Sequence, residues 1–123
     1  MQTTLLPSSL QSLSFGLDFN ERLGTLPSCL QSLTFGQAFN KKIRVSLPSG
    51  LQNLTFGKSY NQSLEKVTLP SGLQELTFGS SFNQSLHKVA LPSGLQKLTF
   101  GSSFNQSLNK VALPDSCSVW QIR

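Results

Sequence analysis

Few side chains in this sequence are of a kind that does chemistry, and none is spaced to do it. There is one histidine, His87, and there are two cysteines, Cys29 and Cys117, among 123 residues. Acid-base or metal chemistry needs His, Cys, Asp or Glu converging at recurrent short spacings. His87 lies 22 residues from both Glu65 and Asn109, in a column of mixed, solvated character. The two cysteines are too few for a disulfide framework and are expected as free thiols. No catalytic residue, metal site or cofactor is assigned, and the chain reads as non-enzymatic.

Residues suited to recognition are better organised. Arg44, Lys66, Lys88 and Lys110 fall 22 apart, each three residues before a leucine. Such a column presents stacked positive charge, which suits an acidic partner and also guards an exposed sheet against pairing. A second column, Ser14, Thr34, Thr55, Thr77 and Thr99, carries hydroxyls that donate and accept hydrogen bonds. Beside it run Ser12, Ser32, Asn53, Glu75 and Lys97, a row whose chemistry changes from one member to the next. These ten positions are the expected binding surface for a partner protein. β-branched residues also simply suit strands. Ice binding would want two adjacent Thr columns, whereas each Thr here is followed by an inward Phe.

The bulk composition excludes other classes. Ten Lys/Arg against five Asp/Glu give +5, with no basic run of the kind nucleic-acid binding uses. No apolar stretch approaches a membrane span, and residues 1–7 lack the basic and apolar regions of a secretory signal. A cytoplasmic location is the expectation. Asn53, Asn61, Asn83 and Asn105 match the glycosylation acceptor pattern, but the last three belong to a recurring aromatic-Asn pair and are read as a structural ladder.

The elements that position these columns follow from a repeat. All six prolines, at 7, 27, 48, 70, 92 and 114, follow leucine, at separations of 20, 21, 22, 22 and 22. A period of that size marks a solenoid. Each intact unit adds a Phe-Gly pair and then an aromatic-Asn pair, as in Phe78-Gly79 with Phe82-Asn83. Val67-Thr68-Leu69 and Leu76-Thr77-Phe78 each alternate apolar and polar, which predicts two short strands per coil on opposite sides. Pro70 closes the first, and Gly79 is expected to turn the corner after the second with positive φ. Each strand should pair in parallel with its copy in the next coil, with right-handed connections. The fold class is therefore mainly β, one solenoid domain over residues 1–123 of about five and a half coils, beginning near Leu6, Leu26, Leu47, Leu69, Leu91 and Leu113.

The run Leu69 to Leu86, with its Leu-Pro, Phe-Gly and Phe-Asn spacing, resembles the FNIP repeat, a relative of leucine-rich repeats, over essentially the whole chain. The namesake tetrapeptide is not kept, since Gln-Ser or charged pairs such as Lys41-Lys42 follow the Asn. The resemblance implies a leucine-rich-repeat-like scaffold for protein interaction, with no catalytic residues to carry over.

At the C-terminal end, alignment from Pro114 puts Cys117, Trp120 and Ile122 in the places of Leu95, Leu98 and Phe100, with Trp120 as a lid on the core. The first coil has no comparable polar cap. A segment of a longer array that stacks end to end, itself a self-association, is thus the rival to the interaction module.

Overall fold

The computed structural model describes residues 6–122. Six strands form one parallel sheet in chain order: β1 (Ser12–Ser14), β2 (Ser32–Thr34), β3 (Asn53–Thr55), β4 (Glu75–Thr77), β5 (Lys97–Phe100) and β6 (Ser118–Gln121). From β1 to β5 the register follows the repeat, so Leu13, Leu33, Leu54, Leu76 and Leu98 pair in one row. The last four of these are fully buried. In β1 to β4 the three-residue strand places its central leucine toward the core and ends before the Phe-Gly pair, while β5 runs one residue further to the buried Phe100.

Behind the sheet the aromatic residues form two stacked columns. Phe15, Phe35, Phe56, Phe78 and Phe100 stack at centroid spacings of 5.3 to 5.7 Å. Phe19, Phe39, Tyr60, Phe82 and Phe104, further along each coil, stack at 5.7 to 6.5 Å. The coils therefore fan apart with distance from the sheet, which lies on the tighter side of the stack.

The hydrogen bonds follow the same gradient. At the turn after the strand, backbones still bond directly, as from the Ser81 N–H to the Lys58 carbonyl at 3.1 Å. At the aromatic-Asn pair a side chain spans the gap: the Asn83 N–H donates to Asn61 Oδ1 at 2.9 Å, and the Asn105 N–H to Asn83 Oδ1 at 2.8 Å. The expected Asn ladder is present, running from coil to coil.

Past that point the direct ladder is lost, and this corrects the expectation of two strands per coil. Val67-Thr68-Leu69 is not a strand. The Val67 N–H folds back onto the Leu64 carbonyl at 3.0 Å, and the Leu73 N–H onto Pro70 at 3.1 Å. No direct backbone bond joins one return segment to the next among the described residues, as expected where coils stand further apart than the ~4.8 Å spacing of a ladder.

A second correction concerns glycine. No described glycine has positive φ. Gly79 is instead required by close approach: a Cβ there would meet the Gly57 carbonyl oxygen at 2.3 Å. Gly36, Gly57 and Gly101 are confined in the same way, at 2.3, 2.1 and 2.3 Å from the glycine below.

The third correction is at β6. Cys117 closes its turn onto Pro114 as Leu95 does onto Pro92 and packs against the core. Ser118 then pairs with Lys97, so that Val119 opposes Leu98, Trp120 opposes Thr99, and Gln121 opposes Phe100. A slip of one residue moves a strand's side chains to the other face. Trp120 stands outward, 58% exposed, and does not lid the core; Ile122 is 66% exposed rather than buried. The shift brings the Gln121 amide to the Phe104 and Gly101 carbonyls, at 2.9 and 3.2 Å. Those acceptors gain a donor that an Ile side chain could not supply.

Candidate recognition surface

The outward sheet face is built by alternation. With the leucine of each strand inward, its two neighbours must point away, and in-register pairing aligns them in two columns. One runs Ser12, Ser32, Asn53, Glu75, Lys97 and Ser118; the other runs Ser14, Thr34, Thr55, Thr77, Thr99 and Trp120. All ten residues expected at this surface are thus brought onto one face. Ser12, Ser14, Thr34, Glu75 and Lys97 are exposed, and Ser32, Asn53, Thr55 and Thr77 are half-buried. The columns are loosely tied, with Asn53 Nδ2 donating to Ser32 Oγ at 3.4 Å.

Sequence reasoning missed Trp120. Its indole lies beside Thr99, which is only 5% exposed, and Lys97 Nζ sits 5.9 Å from the ring centroid, within cation-π range. Nothing in Ser118-Val119-Trp120-Gln121 announces the slipped register, because Trp120 and Ile122 fit the apolar positions of the repeat just as well. The Gln121 amide bonds that favour the slip exist only between coils.

The basic column is elsewhere. Arg44, Lys66, Lys88 and Lys110 are exposed on the return segments that lead from the aromatic-Asn pair to the next Leu-Pro. None of the four forms an ion pair among the described residues. The two candidate surfaces are not brought together.

The residues of chemical type make local contacts. His87 is exposed and its backbone N–H donates to Ser85 Oγ at 3.2 Å, as Glu65 and Asn109 do to Ser63 and Ser107. Cys29 is an exposed free thiol; Cys117 is a half-buried one, with its pKa raised by desolvation. Among the described residues no three His, Cys, Asp or Glu side chains are placed to hold a metal, and no helix is long and apolar enough to cross a membrane. Asn61 and Asn83 each use Oδ1 to accept bonds from the next coil, including Gln84 Nε2 and Gln106 Nε2 at 3.0 Å.

The FNIP Repeat model matches residues 2–38, 19–59, 39–81 and 82–119. The crystal structure of CroV588, described as a novel circular LRR protein, is similar to this chain with a TM-score of 0.85 and 41% identity. That match covers 95% of this chain, which spans 18% of the length of CroV588. No curated protein matches the chain.

Proposed function

We propose that this chain, which belongs to the FNIP repeat family, is a non-enzymatic scaffold whose outward sheet face binds a partner protein. The observation that carries this reading is the continuity of the face from Ser14 to Trp120 across six strands in register. Such a surface offers a partner closely spaced hydroxyls, a neighbouring row of varied charge, and one large aromatic anchor. Trp is among the residues that most often dominate binding energy, because it buries a large apolar area while its N–H finds a partner. The sheet is also the most rigidly laddered part of the coil, so little ordering entropy is lost when it is engaged.

The test is a photo-crosslinking residue installed singly at Thr77 and, for comparison, at Ser103 in the turn beyond β5. Discrete adducts from Thr77 and none from Ser103 are expected in native extracts. Equal yields at both sites, or none at Thr77, sink the reading.

A second reading, a structural segment that stacks end to end, draws on one observation. The chain matches an arc of a protein described as circular, and its own coils fan about the sheet. In this reading β1, paired only with β2 among the described residues, adds to the β6 end of another copy. Light scattering across a concentration series separates the two: mass that grows with concentration favours stacking, and a constant monomer mass favours the binding module.

A further inference from the structure

The net charge of the chain matches that of its return segments. The return segments 20–26, 40–47, 61–69, 83–91 and 105–113 hold seven basic residues and two acidic ones, a net of +5, while the remaining three basic and three acidic residues cancel. The strands themselves carry only Glu75 and Lys97, which cancel, so the returns are the segments with a field.

Among the returns, the second and third leave a groove. The return after Asn40 reaches its proline one residue sooner than the return after Asn61, because nothing in it corresponds to Glu65. In the third coil the extra residue forms the turn that Val67 closes onto Leu64. Two neighbouring returns of unequal length cannot nest, and the step between them is lined by residues 43–47 and 66–71 together with Ser49. Its floor is apolar, with Val45, Leu47 and Val67 half-buried and Ile43 and Leu69 buried. Arg44 and Lys66 stand exposed on its rim.

The groove also has an unused backbone. The N–H groups of Val45, Ser46, Leu47, Thr68 and Leu69 donate to no backbone carbonyl among the described residues, because the direct ladder has lapsed on this side. An extended chain lying between the returns would offer its own carbonyls to those of these donors that face the groove, as peptides do when they add to a sheet. A lipid surface would offer headgroup oxygens, but without the fixed spacing of an extended chain's carbonyls.

We propose that this groove binds an extended acidic peptide in which carboxylate and apolar residues alternate. Alternate side chains of an extended peptide point to opposite sides. One set then rests on the Val45, Leu47 and Val67 floor, while the other reaches Arg44 on one wall and Lys66 on the other. This surface is separate from the sheet face and does not depend on it.

The test uses the full chain and a fluorescent peptide of alternating Glu and Leu, with binding followed by anisotropy at low and high ionic strength. Saturable binding that weakens with salt is expected. The pair R44E and K66E should weaken it by about tenfold or more, and the pair K88E and K110E, which changes net charge equally, by less than about threefold. All four side chains are exposed, so neither pair disturbs the core. Equal losses from both pairs would mean a diffuse basic face and overturn the groove. Equally tight binding of an alternating Glu and Ser peptide would remove the apolar floor from the account. Phosphatidylserine vesicles that bind where the Glu-Leu peptide does not would assign the face to a membrane and overturn the proposal.

Discussion

The first and fourth coils carry nearly the same residues, Leu13-Ser14-Phe15-Gly16 and Leu76-Thr77-Phe78-Gly79, yet they experience different surroundings. A Cβ on Gly79 would run into the carbonyl of Gly57, whereas one on Gly16 would meet nothing within 4 Å. Leu76 is fully buried and Leu13 only partly. The difference teaches that a repeat motif acquires most of its energetic weight from the coil beneath it. In a stack where each unit touches only its neighbours, stability is a sum of unit and interface terms, and an end unit has half the interfaces.

The sharpest way to break this comparison is at glycine. Gly79→Ala should cost about 3 kcal/mol or more, since the clash is with backbone that cannot rotate away, and Gly16→Ala should stay within about 0.5 kcal/mol. Urea midpoints at constant slope would show it. Similar losses at both positions would mean that the glycines act through local conformation. Leucine truncation comes next: Leu76→Ala should cost about 3 kcal/mol and Leu13→Ala about 1 kcal/mol, because only the first leaves an enclosed cavity. Thermal denaturation of the two variants side by side reads the gap.

The amide ladder sharpens the comparison at smaller scale. Asn83 Oδ1 accepts from both the Asn105 N–H and Gln106 Nε2, at 2.8 and 3.0 Å. At the first coil Asn20 Oδ1 accepts from the Asn40 N–H at 2.8 Å, and Lys41 stands where a Gln would add the second bond. Asn83→Ala should cost about 1.5 kcal/mol and Asn20→Ala about half that. Hydrogen exchange at the Asn105 and Asn40 amides checks both.

An effect of similar size, but of opposite sign, separates the third coil from the fourth. Tyr60 occupies a column otherwise made of Phe, and its buried hydroxyl has no hydrogen-bond partner among the described residues. Tyr60→Phe should stabilise the chain by about 1 kcal/mol. Burial also pushes the phenol's pKa well above its ordinary value by desolvation. Near and above pH ~10 the unfolded chain releases this proton and the folded chain keeps it. The contribution to stability is therefore full below that pH and declines as pH rises. Tyr60→Phe should remove the decline, and denaturation midpoints that keep falling identically in the variant would count against it.

The solenoid, its strand positions and its Asn ladder were legible because each rests on a short-range pattern repeated five times. Leucine between hydroxyl residues can be buried in only one way, and a regular offset makes each coil the template for the next. Other features were not legible, because they depend on the coil next door. Val67-Thr68-Leu69 has the alternation of a strand, but pairing depends on the gap to the neighbouring coil, and that gap is set by the fanning of the whole stack. Trp120 fits the repeat equally well facing in or out, and the choice fell to Gln121 finding the Phe104 carbonyl.

The sequence alone determined that these coils stack in parallel, with leucine and phenylalanine inside and hydroxyls on the sheet's outer face, because side-chain burial and the period of the chain are local properties. Tertiary structure decided which side of each coil keeps its hydrogen-bonded ladder, why glycine follows phenylalanine, where the groove opens and which way the tryptophan faces. Each of those depends on the distance between residues about 22 apart in sequence, a distance that curvature sets and no single repeat contains.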